Sequence, residues 1–484
     1  MKPVNRRRFL RNSFLSAAAL NLPVRSWSQV QGANTDLRVA VVGFNGQGRT
    51  HIEGFRKMPG VRVVALCDAD QAVLDREAAK FHKRGEKITK YTDVRKLLED
   101  DDIDIVTTAT PNHWHALIAI WACQAGKDVY VEKPVSHNVW EGRQIVRAAR
   151  KYERIIQTGT QSRSASGVRE AIEFLRTGNL GRIVLARGLC YKRRKSLGLV
   201  NGAQPIPGTV DYDLWTGPAP LKDLNRYKLH YDWHWVWDTG NGDLGNQGIH
   251  EMDMARWALG QNKLSPRILS IGGRFGYQDN GETANTQIAL HHYPEAPLLF
   301  EVRGLAANAN TEELPNHKGV RVGVIVECES GYLAIQANQA IAYDGDGAVL
   351  KTFGDRREDH RLNHRTNFIE AVRSRDHSHL NADIEEGHIS SALCHTANIS
   401  HRLGQSSGAD EIGDELADDA AAAESFGRCR EHLRDNGVNL NIDLATLGAP
   451  LVMNPDREKF YANERANALL TRGYRDGFSV PRRV

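Results

Sequence analysis

The chain has 484 residues, 41% hydrophobic and 25% charged, with a formal net charge of +4 at pH 7. This is ordinary globular composition on a chain too long for one compact core, so at least two domains are expected. No long basic stripe follows the first eleven residues, which argues against a nucleic-acid surface, and Lys192-Arg-Arg-Lys195 reads as a solvated loop.

At the N-terminus, Asn5-Arg-Arg-Arg-Phe-Leu-Arg11 precedes an apolar run from Phe14 to Leu22 and the small-x-small site Ser26-Trp-Ser28. The run is far too short to span a bilayer, so no stable membrane insertion is expected. Paired arginines before Phe9-Leu10 resemble a twin-arginine export signal. That resemblance implies a signal peptide over residues 1–28 and a periplasmic protein exported already folded, a route that suits an enzyme folding around a cofactor.

Arg38 to Gly43 is a short β-branched run of the kind buried in parallel sheets. Gly43-Phe-Asn-Gly-Gln-Gly48 follows, then a helical stretch, then the strand Val61 to Cys67 with Asp68 at its end. Asp68 stands twenty residues after Gly48, the spacing of a dinucleotide fingerprint. Gly43 allows the tight turn, the helix N-terminus offers free amides to a pyrophosphate, and Gly48 lets helix and strand pack closely. Asp68 is expected to hold a ribose diol. One departure is Asn45 at the middle glycine position, with Gly46 beside it. Asparagine tolerates positive φ, but its side chain could crowd the phosphates.

Next come a polar helix from Gln71 to about His82, a short helix capped by Asp93, and the strand Ile103 to Ala109 ending in Thr110-Pro-Asn-His-Trp-His115. An apolar helix to Ala125 stops at Gly126. Asp128 to Val131 is a strand running into Glu132-Lys133-Pro134, followed by a helix over Trp140 to Lys151 and a strand over Arg154 to Gln157. Strands alternating with helices predict a doubly wound parallel sheet. Ligands bind beyond the carboxyl ends of such strands. Pro111, Asn112, His113, Glu132, Lys133 and Gln157 therefore share a rim with Gly43 and Asp68.

At Glu132-Lys133-Pro134 the chain resembles the Gfo/Idh/MocA oxidoreductases, together with the N-terminal fingerprint and Thr110-Pro-Asn-His-Trp-His115. The resemblance covers most of residues 37 to 400. It implies an α/β fold: a Rossmann domain over 36–158, then an α+β C-terminal domain over 159–405 with a large open, mainly antiparallel sheet that closes over the nicotinamide. Residues 406–484 exceed the minimal family length and are expected to pack back on the domains or to join an oligomer interface. Lys133 matches the family lysine that reaches nicotinamide and substrate, often beside a cis proline. In Gly240 to Trp257 the pattern D-x-G-x-H with Asp three residues on matches at Gly248, His250 and Asp253, but Asn246 replaces its first Asp. An amide orients and hydrogen-bonds without titrating, so proton work falls to His250 and Lys133. Asp243 lies at the wrong offset to substitute.

The expected catalytic residues are Lys133, His250 and Asn246. Cofactor contacts are expected from Gly43, Asn45, Gly46, Gly48, Asp68, Thr110, Pro111, Asn112, His115, Glu132, Lys133 and Gln161. Substrate contacts are expected from Arg163, Trp235, Asn246 and His250. Four tryptophans between 215 and 237 suit a sugar, though any single one is better read as core. Asp68 and Asp70 together favour NAD over NADP. From Ile268 to Leu350 short alternating runs predict the second sheet, and Ala409 to Ala423 is an acidic, alanine-rich loop or helix. His360, His364, His388 and His395 lack metal-site spacing, so no metal is expected. Of six scattered cysteines without a C-x-x-C pair, Cys67 and Cys123 are expected to be buried, and the others stay open to pairing.

The function expected is NAD-dependent hydride transfer at a sugar or cyclitol hydroxyl, in a homo-oligomer (dimer or tetramer). Two alternatives stand beside it: an NAD-dependent glycosidase working by transient oxidation and elimination, and a cofactor-bearing binding protein without catalysis.

Overall fold

The structure is a computed structural model and describes residues 36–484; the expected export signal lies outside these residues. Strands β1 (Leu37–Val42), β2 (Val61–Cys67), β3 (Thr89–Tyr91), β4 (Ile105–Thr108), β5 (Asp128–Val131) and β6 (Ile156–Thr158) form one parallel sheet in the order β3-β2-β1-β4-β5-β6. Val39 to Val42 are buried on both faces, as a strand between two helical layers must be. The order reverses beside β1, between the β1 and β4 carboxyl ends, and that is where a crevice opens.

Helix α1 (Gly48–Arg56) leaves the glycine loop, and α2 (Gln71–Lys83) starts at Asp70, whose carboxylate accepts the Ala72 amide at 3.0 Å. Helix α3 (Val94–Leu98) is capped by Asp93, and α4 (Asn112–Gln124) is buried along most of its length. Helix α5 (Val139–Lys151) completes the layer.

The second sheet has twelve strands, mostly antiparallel, and its long path centres on β7 (Ile183–Tyr191) between the strands Leu298–Arg303 and Val322–Cys328. On one face, helices 248–258 and 384–402 bury Ile249, Met252 and Leu393 against Phe300 and Val324. On the other, the stretch 409–423 belongs to two helices, Ala409–Glu415 and Ala420–Asp435. They bury Ile412, Phe426 and Leu433 on Leu185, Ile288 and Leu290. Beneath them the buried Glu301 carboxylate is held by Arg187 and Arg428.

The chain then adds short strands at the edge of this sheet and returns to the first domain. Trp140 donates its amide to Leu470 O at 2.9 Å, and the Phe478 ring meets Trp114 edge-on at 5.6 Å. All six cysteines are free thiols. Among the described residues no helix is long and apolar enough to cross a membrane.

Candidate active site

A cavity of about 440 Å³ lies between the domains. Its first wall is made of strand ends. Gly43 carries φ +73, and a Cβ there would fall 2.7 Å from the Thr110 side chain; a Cβ on Gly48 would fall 2.1 Å from Gly43 O. Both positions are closed to any side chain, so loop, helix and the β4 end meet as tightly as a pyrophosphate cradle requires. Asn45 does not take positive φ. Its Oδ1 accepts Arg76 Nη2 at 2.8 Å, which turns the amide toward helix α2.

Asp68 accepts the Phe44 amide on one oxygen at 3.1 Å and the Asp70 amide on the other at 3.0 Å. Each oxygen keeps a lone pair for a ribose hydroxyl. Burial raises this carboxyl, and the two amides work against that. Asp70 is committed elsewhere: its carboxylate also takes the Thr209 hydroxyl at 2.8 Å and His230 Nε2 at 2.9 Å. The expectation that Asp68 and Asp70 both face the cofactor is corrected, and Asp68 alone of the pair lines the cavity.

At the floor, Glu132 Oε1 accepts His51 Nε2 at 2.9 Å and Gln47 Nε2 at 3.1 Å, while His51 Nδ1 meets the Thr107 hydroxyl at 2.5 Å. Burial acts to raise the Glu132 carboxyl. The His51 hydrogen bond and the nearby Lys133 and His250 outweigh it and hold the group well below the usual carboxylate range. Lys133 follows, across a cis Lys133–Pro134 bond. Its ammonium donates to the backbone carbonyl of Asn246 at 2.8 Å. Burial lowers Lys133, with Glu132 and Glu251 opposing. His250 is pushed down to about 3, by burial first and then by Lys133, so it is a neutral imidazole at ordinary pH.

The second wall comes from the other domain: Asn246, Gln247 and His250, with Arg361 and a long strap across residues 209–239. The strap is stitched to the first domain and, through Arg475, to the C-terminal segment. Gln71 N donates to Thr209 O at 2.8 Å and Asp211 N to Ala69 O at 2.9 Å. Trp114 Nε1 donates to Trp215 O at 3.0 Å, His113 Nε2 meets the same carbonyl at 3.1 Å, and Arg475 Nη1 donates to Gly217 O at 3.2 Å. Leu214, Trp215, His230, Tyr231, Trp233 and His234 then face the cavity.

The cavity thus brings together Gly43, Asn45, Gly46, Asp68, Thr110, Pro111, Asn112, His115, Glu132, Lys133, Gln161, Asn246 and His250. Gly48 supports the loop from behind. Two expected substrate contacts are not on this wall. Arg163 is buried in a fork to Asp253 at 2.8 and 2.9 Å and an ion pair with Glu386 at 2.9 Å, leaving no face for a ligand. Trp235 is a core side chain packed beside Tyr231 and His234, with Arg194 over its ring at 5.4 Å. Arg194 itself pairs with buried Asp243, so the 192–195 run is only partly solvated. His113 and Gln157 also turn inward, onto Trp215 O and His364 O. The expectation had missed His51, Gln47, the strap residues and Arg361. Gln47 and His51, four apart at a helix start, carried the one local signal.

A glycine cradle, an acid at the end of β2 and a lysine–histidine pair contributed by two domains define a dinucleotide-binding oxidoreductase fold. The family description "Oxidoreductase family, NAD-binding Rossmann fold" matches residues 37–160, and "Oxidoreductase family, C-terminal alpha/beta domain" matches residues 186–293. The two stretches match the models of the two domains of Gfo/Idh/MocA oxidoreductases, the first of them described as NAD-binding.

Among solved structures, the WlbA dehydrogenase of Bordetella pertussis, in complex with NADH and UDP-GlcNAcA, is 19% identical, with a TM-score of 0.54 over 74% of this chain and 94% of that one. A levoglucosan dehydrogenase in complex with NADH is 17% identical, with a TM-score of 0.57 over 75% and 97%. These likenesses concern the fold. Among curated relatives, a glycosyl hydrolase family 109 protein of Shewanella sp. (strain W3-18-1) is 40% identical over 123 residues, 24% of this chain and 27% of the relative. An alpha-N-acetylgalactosaminidase of Shewanella oneidensis is 38% identical over the same shares. The matched stretch is thus about a quarter of each relative's length.

Proposed function

We propose that the protein is an NAD-dependent oxidoreductase acting on a hydroxyl of a carbohydrate-like substrate and working in the periplasm. The observation that carries this is the single cavity in which the Gly43–Gly48 loop and Asp68 stand opposite Lys133 and His250. The residues fit NAD: two glycines closed to side chains, Asn45 turned aside by Arg76, and spare lone pairs on Asp68. When bound, NAD supplies a hydride acceptor or donor.

The chain's own residues do the rest. Asp68 holds the ribose diol and opposes a 2′-phosphate, which favours NAD over NADP. Lys133, fixed on the Asn246 carbonyl, points its remaining N–H groups at the substrate oxygen and stabilises charge there. His250, neutral and with no hydrogen-bond partner on its ring among the described residues, accepts the hydroxyl proton. Lys133 beside it disfavours the charged imidazolium. Asn246 orients the substrate. Trp215 and Trp233 line the space a sugar would take, Trp215 stacked on Tyr212 and Trp233 on His234.

A second reading is an NAD-dependent glycosidase that oxidises and re-reduces the sugar within one turnover, and the names of the curated relatives favour it. Mass spectrometry of ligand released from the purified native protein identifies the cofactor. Product analysis then divides the readings. A ketosugar formed with net NADH supports the first, and a cleaved glycoside with none supports the second. No turnover of any glycoside or sugar alcohol by an NAD-loaded protein would sink both.

A further inference from the structure

A second cavity, of about 340 Å³, opens beyond Asn241. Asn241 joins the two cavities: its Oδ1 accepts Asn112 Nδ2 at 2.9 Å, and Asn112 lines the first. The second cavity is walled by His137, Asn138, Trp237, His395 and Arg402, with Arg472 from the C-terminal segment.

Arg472 is unusually placed. Nη1 donates to His137 Nδ1 at 3.1 Å and to the Asp238 carbonyl at 2.8 Å. Nε and Nη2 are buried and bond nothing. These two nitrogens form the edge of a guanidinium that takes a carboxylate in two parallel hydrogen bonds. Among the described residues no carboxylate takes it. Asp238 is engaged by Lys222 Nζ at 2.6 Å. Glu141, the other nearby acid, accepts the His137 amide and the Tyr474 hydroxyl, each at 2.9 Å.

A guanidinium edge left without a hydrogen-bonded anion is costly, even with the Glu141 carboxylate near enough to feel the Arg472 charge. The rest of the wall deepens the imbalance. Arg402 stacks over Trp237 at 5.1 Å and makes no ion pair among the described residues. Asn138 Nδ2 and His395 Nδ1 are buried without partners. The two histidines are neutral, His395 being pushed by burial to about 3 and His137 lowered by burial and then by Arg472. The wall therefore sets two guanidinium groups against one carboxylate, Asp238, which Lys222 already engages.

We propose that this second cavity is a binding site for a small carboxylate, seated bidentately on the Nε/Nη2 edge of Arg472, with Arg402 beside it. Neutral amides, imidazoles and the Trp237 face suit a ligand that carries hydroxyls as well as the acid. The proposal stands apart from the chemistry of the first cavity.

The test is calorimetric titration of the full chain with acetate, D-glucuronate and inorganic phosphate, against chloride at matched ionic strength. Saturable binding of acetate and glucuronate is expected. Glucuronate binding more tightly than acetate marks a carboxylate borne on a sugar, and equal affinity marks the free acid group as the ligand. Arg472→Lys keeps the charge and removes the fork, so at least a tenfold loss is expected, with NAD binding unchanged. Arg402→Gln, at an exposed position that does not endanger folding, is expected to weaken binding several-fold. Three results would overturn the site: no saturable binding above chloride, wild-type affinity in Arg472→Lys, or preference for phosphate. A crystal structure showing the guanidinium edge on Glu141 or on ordered water alone would do the same.

Discussion

The wall of the main cavity built from residues 43–133 is made of strand ends, whereas the wall built from residues 209–250 is made of a strap and two short helical starts. In the first, each functional group sits one or two residues beyond a buried strand, so the sheet that orders Val42, Cys67 and Val131 also orders Gly43, Asp68 and Lys133. In the second, position depends on contacts made across the whole chain, such as Thr209 to Asp70 and Arg475 to Gly217. The difference predicts a division of labour: the sheet wall sets cofactor affinity and chemistry, and the strap wall sets access and the fit of the substrate.

The largest effect should come where the walls touch. Lys133→Ala and His250→Ala are each expected to lower turnover by roughly three orders of magnitude, about 4 kcal/mol of transition-state stabilisation, with NAD affinity retained. The double variant should cost little more than either single one, because the two act as a unit. Additive losses in steady-state kinetics would show that the walls work separately.

Asp68→Ala tests the sheet wall by itself. It should weaken NAD binding by about 1–3 kcal/mol and relax discrimination against NADP, as charge-assisted hydrogen bonds to the ribose are lost. Unchanged affinities by calorimetry would take Asp68 out of the site.

Thr209→Val probes the strap without touching the cavity lining. Losing one hydrogen bond to a carboxylate predicts a cofactor release rate raised by roughly tenfold, about 1.5 kcal/mol, read by chasing bound NAD with labelled NAD. An unaltered release rate would mean that the strap does not gate the cleft.

Asn246→Ala should have the mildest effect. Lys133 bonds the backbone carbonyl there, which the substitution keeps, so the pH profile should not move and only substrate binding should weaken. Nor should the wild-type profile show a histidine limb near pH 6.5. His250 is held to about 3, and acid loss through it belongs at the low end. A limb near neutrality that vanishes in His250→Ala would reverse that assignment.

What was legible in the chain follows the same division. Gly43 and Asp68 could be read because their meaning lies in short spacings between a strand, a turn and a helix, and Lys133 because it ends a strand inside Glu132-Lys133-Pro134, which carries the family resemblance. Asn45 looked like an obstruction because nothing local announces Arg76, which draws its side chain away. Trp235 and Arg163 were misplaced for a related reason. A tryptophan in a loop and an arginine after a strand show their type but not their facing, and here Asp253 and Arg194 claim them. His230 reaches the cavity rim through Asp70, 160 residues away, a contact that no spacing rule covers.

The strap also carries a consequence for the order in which the protein can be made. Its anchors join positions 139 and 258 residues apart, and the later anchor, Arg475, lies almost at the end of the chain. A ribosome delivers the glycine loop first and the last stitch of the roof hundreds of residues later. The strand ends of the cradle are thus made well before the roof can be fastened, while Phe368, Ile384 and Phe478 join the core of the first domain only later. Assembly then runs from cradle to cover, and a nascent chain that has not yet reached Arg475 has the strand ends of one wall without the stitch that closes the other.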